Sequence, residues 1–161
     1  MEQLPGADTS KIMTVDASTE TVNPTRLGTA PVLCFVDGEH TDGVAVRDGM
    51  FCRAVLGDRG AIAFHDAQIV YRGIAQLLAE LSADSTPVYP YLLPDSIFVI
   101  ELGATRLHQS PQVRSRIDKN WQGFLFALQF NDGYRRALNR PLARTLRRLR
   151  LLTVEGIDEG A

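Results

Sequence analysis

Phe35-Val36-Asp37-Gly38-Glu39-His40 and its echo Ala63-Phe64-His65-Asp66-Ala67 set the frame for the whole chain. Each follows a short apolar run, Val32 to Val36 and Ala61 to Phe64, and each run ends abruptly in acids and an imidazole. Buried parallel strands read as near-continuous apolar runs. In open α/β sheets, ligands sit just outside the carboxyl ends of such strands. Two neighbouring strands of this kind would deliver Asp37, Glu39, His40, His65 and Asp66 to one crevice.

The segments on either side fit that frame. Gly43 to Leu56 carries Val44, Met50, Phe51, Ala54 and Val55 near helical spacing, with Asp42 as the expected N-cap. Gly57-Asp58-Arg59-Gly60 stops the helix and turns the chain. Ile69 to Leu81 predicts an amphipathic helix with Val70, Ile74, Leu77, Leu78 and Leu81 on its apolar stripe. Val88 to Leu92 and Ile97 to Leu102, separated by Leu93-Pro94-Asp95-Ser96, predict a hairpin. Upstream, Ile12 to Asp16 predicts a short strand, and Ser18 to Pro31 a loop with one helical turn near Pro24-Thr25-Arg26-Leu27. Strand, helix, strand, helix, hairpin is an α/β order: half of a doubly wound sheet ending in an antiparallel hairpin.

At 161 residues the chain has the size of one domain with a real core, and its net charge of -2 predicts no polyanionic partner such as a nucleic acid. No run approaches the roughly 18 apolar residues of a membrane span. The N-terminus carries Glu2 and Asp8 and lacks a basic region followed by an apolar core, so no signal peptide and a cytoplasmic location are expected. Cys34 and Cys52 read as two buried thiols, and no Cys/His cluster has zinc-ligand spacing.

Charge is unevenly spread. Tyr134 to Thr153 holds seven arginines out of the 17 basic residues, and none of the 19 acids. Three regions follow: a disordered 1–11, an α/β body over 12–104, and a helical, Arg-rich extension over 105–155. Within the extension, Val113 to Phe130 predicts a helix broken by Asn131-Asp132-Gly133. Leu138, Leu142, Leu146 and Leu149 then recur among arginines, with Pro141 an interruption. A basic amphipathic helix suits either a solvated face over a core or contact with an anionic membrane surface.

The body resembles a known family. An apolar run, Asp37-Gly38-Glu39-His40, Thr41, a helix, then Gly60-Ala61-Ile62-Ala63-Phe64-His65-Asp66 is similar to the C-terminal half of class I S-adenosylmethionine-dependent methyltransferases. It is most similar to the group whose fourth strand ends in a Phe-Ile-Asp-Gly-Asp-His type of motif. The resemblance spans Ile12 to Leu102. It implies a Rossmann-like methyltransferase sheet in which Ile12 to Asp16 is the third strand. Val32 to Val36 and Ala61 to Phe64 would be the fourth and fifth, and the hairpin the sixth and seventh.

The same resemblance implies S-adenosyl-L-methionine as cofactor, with Asp16 near its adenine and Asp37 facing its methionyl end. It implies methyl transfer to an oxygen of a small molecule or sugar. The family's glycine-rich turn, where the backbone must approach the ligand without a Cβ in the way, has no counterpart here. Only Gly6 and Gly28 precede residue 38. The first two strands are therefore expected to be missing, leaving Val32 to Val36 as an apolar edge open to a second copy of the chain.

Oxygen methylation needs a base or a metal, since a hydroxyl is a poor nucleophile at neutral pH. Imidazole suits the first role, which makes His40 and Asp37 the candidate catalytic pair. Asp37, His65 and Asp66 are candidate ligands for Mg²⁺, with hard oxygens and one nitrogen. The bland alternatives stand beside these: Asp37 and Asp66 as helix or turn caps, His40 as a solvated loop residue. A phosphotransfer site would want an acid two residues before Asp37, and position 35 is Phe. The rival to an enzyme is a non-catalytic methyltransferase-like remnant serving as a binding or oligomerisation module.

Overall fold

The computed structural model describes residues 14–27 and 31–138, with residue 26 and residues 134–138 described by their backbone alone. The expectations for residues 1–11 and for the arginine-rich tail beyond residue 138 lie outside these residues.

Both apolar runs are strands. β1 (Leu33–Val36) pairs in parallel with β2 (Arg59–Phe64), Val36 opposite Phe64. α1 (Asp42–Leu56) forms the crossover between them. α2 (Tyr71–Ala83) then carries the chain to β3 (Val88–Leu93), and Pro94-Asp95-Ser96 turns it back into β4 (Ile97–Gly103). The expected hairpin is present, and β4 inserts antiparallel between β2 and β3. The sheet is thus mixed and four-stranded, in the order β1-β2-β4-β3.

Alternation along the strands divides the core between two faces. On one face Ile62, Phe64, Phe98, Ile100 and Leu102 pack against Ala45, Cys52 and Leu56 of α1 and Ile74, Leu77, Leu78 and Leu81 of α2. The α2 stripe read from the sequence is the buried one. Gly73 in α2 is required by a close helix crossing: a Cβ there would lie 2.4 Å from the Asp42 carbonyl oxygen. On the other face Ala61, Ala63, Tyr91 and Val99 are covered by Val113 and Ile117. That cover does not extend to β1, where Leu33 and Phe35 are half-exposed, at 50% and 55%.

Several expectations need correction. Thr14 to Asp16, the described part of the expected first strand, has no strand structure and is exposed. It has no hydrogen-bonded neighbour strand, since among the described residues β1 pairs with β2 alone. The N-cap of α1 is Thr41, whose hydroxyl accepts from the Val44 N–H, rather than Asp42. Asp42 Oδ1 accepts instead from the Gly73 N–H at 2.9 Å.

The Val113 to Phe130 helix is divided. A short α3 (Pro111–Arg114) is followed by an extended bridge in which Asp118 and Leu92 exchange both backbone hydrogen bonds. α4 (Trp121–Leu138) then runs straight through Asn131-Asp132-Gly133. Tertiary contact overrides the local turn signal: Asp132 is held by the Tyr71 hydroxyl at 2.7 Å and by the Arg72 guanidinium. Among the described residues no helix is long and apolar enough to cross a membrane.

Candidate functional site

Parallel pairing of β1 with β2 ends at Val36 and Phe64, and the His65 N–H donates to the Val36 carbonyl at 3.0 Å. The next residues of both strands therefore emerge side by side. Asp37 leaves β1, and His40 follows three residues later, just before Thr41 caps α1. His65 and Asp66 leave β2 in a turn in which Asp66 adopts φ +48° and its carbonyl accepts from the Ile69 N–H. Aspartate is among the few residues that tolerate this left-handed backbone.

Four side chains converge there. His65 Nδ1 lies 3.3 Å from Asp37 Oδ1 and 3.4 Å from Asp66 Oδ2. His40 Nε2 lies 3.2 Å from Asp66 Oδ2 and 4.0 Å from Asp37 Oδ1. One donor atom each from Asp37, His40 and His65 falls within 4.8 Å of the others. His65 Nδ1 is buried yet makes no hydrogen bond of good geometry. Val36, Ala45, Phe64 and Val70 form an apolar floor beneath the cluster. Beside it, a groove of about 750 Å³ follows β1 from Asp37 past Cys34 and Asp48 to Val15 and Ala17.

The fold brings together Asp37, His40, His65 and Asp66. Glu39 lines the same small pocket but has no ion pair with the cluster, and Asp16 is exposed between the two residues that line the far end of the groove. His40, read from the sequence as a base, is placed by the geometry among the donors as well.

A buried imidazole nitrogen without a hydrogen bond, beside two carboxylates, has the chemistry of a ligand to a divalent cation, so the residues fit one. Two imidazole nitrogens with two carboxylate oxygens suit Mn²⁺, Fe²⁺ or Zn²⁺ better than Mg²⁺, which prefers oxygen and water.

One constellation escaped the sequence reading. Glu101 lies in the middle of the apolar run Ile97 to Leu102 and is 1% exposed, paired with His108 seven residues later. A lone acid inside a strand with no polar alternation was its only visible signal.

Compared with protein-family models, with curated proteins and with solved structures, the chain matches none.

Proposed function

We propose that this chain is the acceptor-side half of an S-adenosylmethionine-dependent O-methyltransferase, acting on a hydroxyl of a small molecule or sugar. Asp37, His40, His65 and Asp66 hold its divalent metal. The observation that supports this most is the convergence of these four donors at the carboxyl ends of two adjacent parallel strands, where α/β folds bind ligands. The closing antiparallel strand β4 and the outer β3 agree with the Rossmann-like sheet that the resemblance implies. The groove along β1, lined by Asp37 at one end and by Val15 and Ala17 at the other, is where this reading would seat the cofactor.

When bound, the metal would bind the acceptor hydroxyl and acidify it. The chain's own residues do the rest. Asp37 and Asp66 balance the charge, and the apolar floor of Phe64 and Val70 excludes water from one side. His40 Nε2 is turned into the cluster, so its lone pair serves either as ligand or as base, and the donor geometry favours ligand.

Calorimetric titration of the full chain with S-adenosylhomocysteine, with and without Mn²⁺, tests the reading. Saturable binding that Mn²⁺ strengthens is expected. A folded chain that binds neither the metal nor the cofactor product overturns it.

A second reading, a non-catalytic module that oligomerises, is favoured by the open β1 edge with Val32, Leu33 and Phe35 exposed. A homodimer through that edge would be lost in Phe35→Lys. Sedimentation showing a monomer in both chains removes this reading. On either reading we infer a cytoplasmic location, with the arginine-rich tail suited to contact with an anionic membrane surface.

A further inference from the structure

Away from the strand-end cluster, on the opposite face of the sheet, lies a second group of polar side chains around a buried carboxylate. Glu101 of β4 stands opposite Ala61 of β2 and Tyr89 of β3, on the face that carries Val99 and Tyr91. Burying a carboxylate is costly unless its oxygens are satisfied. Here both are: Oε1 accepts from the His108 backbone N–H at 2.7 Å, and Oε2 from His108 Nδ1 at 2.8 Å.

That arrangement fixes the imidazole. The bond engages the ring through Nδ1, and the ring is further pinned by stacking on Tyr89 at 4.0 Å between centroids. The other nitrogen, Nε2, has no partner among the described residues. It is also not a sealed atom, since the buried unpaired side-chain atoms among the described residues are Arg53 Nε and His65 Nδ1. The ring lines a cleft of about 630 Å³ whose other walls are Tyr89, Gln109, Ile117, Arg114 and Lys119. Neither Arg114 nor Lys119 has a salt-bridge partner among the described residues, a state they share with Arg59, Arg106 and Arg116, but of these five only Arg114 and Lys119 line this cleft.

We propose that this cleft is a binding site for a phosphomonoester of a small molecule. Two unpaired cations match the double charge of a phosphomonoester, and the guanidinium offers it a bidentate fork. His108 Nε2 supplies a third, directional contact. Tyr89 and Ile117 give the organic part of the ligand an apolar wall. The carboxylate behind His108 is a positioning residue: it holds the ring and does not touch the ligand.

The test uses the full chain in EDTA with phenyl phosphate as the probe, and benzoate and inorganic phosphate for comparison. Calorimetry is expected to give one saturable site for phenyl phosphate, at least about tenfold tighter than for benzoate. Arg114→Gln and Lys119→Gln, both at exposed positions, should each weaken it by about tenfold or more while leaving the circular dichroism spectrum unchanged. Asp37→Ala should leave it unchanged, which separates this site from the strand-end cluster. The His108 imidazole signals should shift on titration while those of His40 and His65 stay still. Absence of saturable phenyl phosphate binding overturns the proposal. So does binding that survives the Arg114→Gln, Lys119→Gln double variant, or benzoate binding equal to that of the phosphate ester.

Discussion

His65 Nδ1 stands 3.3 Å from Asp37 Oδ1 across the junction of two parallel strands, with no bond geometry that satisfies the nitrogen. Two residues 28 positions apart in sequence meet there because Val36 and Phe64 are in register. If the nitrogen is a metal donor, His65→Ala should lower Mn²⁺ affinity by more than the roughly 10–100-fold that loss of an outer-shell partner costs. Asp37→Asn should do the same, and Mn²⁺ should bind more tightly than Mg²⁺. Titration followed by electron paramagnetic resonance of free Mn²⁺ reads all three, and equal affinity in the wild type and His65→Ala would rule out ligation by that nitrogen.

Gly103 ends β4 at φ +56°, and a Cβ there would lie 2.1 Å from the Asp58 carbonyl oxygen. Backbone strain of about 1–2 kcal/mol adds to an overpacking cost of about 1–3 kcal/mol. Gly103→Ala should therefore lower the urea midpoint by the equivalent of about 2–5 kcal/mol with an unchanged slope. An unaltered midpoint would mean that the loop carrying Asp58 moves aside freely.

The two thiols should differ in reactivity. A hydrogen bond from Cys52 holds the Cys34 thiol below its usual range against the opposing effect of burial. The same bond, and then burial, push Cys52 well up. Cys34 also lines the open groove beside β1. Iodoacetamide should modify Cys34 at least about tenfold faster than Cys52, with Cys52 reacting only on unfolding. Peptide mapping after timed quenching gives both rates, and equal rates would contradict the assignment.

Alkaline pH should unfold the chain through its buried phenol. Burial, and then the hydrogen bond to Glu101, push Tyr91 up from its ordinary range. The folded state thus keeps a proton that the unfolded state releases. Stability from this group is fully present below about pH 10, the unfolded value, and is lost as pH rises toward the folded one. Absorbance at 295 nm should show Tyr91 ionising only together with unfolding, a step that Tyr91→Phe removes. A Tyr91→Phe chain with an unshifted alkaline transition would assign the transition to another group.

The parts of the fold that the sequence revealed are those dictated by local period. The two apolar runs, the α2 stripe and the hairpin around Pro94 each follow from residues within a dozen positions. The cluster was legible for a related reason, since the residues after two parallel strands must share one end of the sheet. What escaped depends on partners distant in sequence. Thr41 and Asp42 are both good capping residues, and Asp42 is diverted because Gly73 lies within reach. Asn131-Asp132-Gly133 reads as a turn until Tyr71 and Arg72 engage Asp132. Glu101 and His108 meet only once β4 has its register and the chain after it folds back across the sheet.

The hydrogen bond from the Gly73 N–H to Asp42 Oδ1 joins more than two helices. Asp42 comes two residues after His40, and Gly73 seven after Asp66, so a single contact fastens the loop of one strand end to the loop of the other. The glycine lets the helices approach until this bond is short, and no side chain intervenes. The contact ties both loops together in the folded chain, so the proposed metal would meet donors already in place, without the entropic cost of gathering them. Any substitution that separates the helix starts would be felt as slower capture and faster release at a site it never touches.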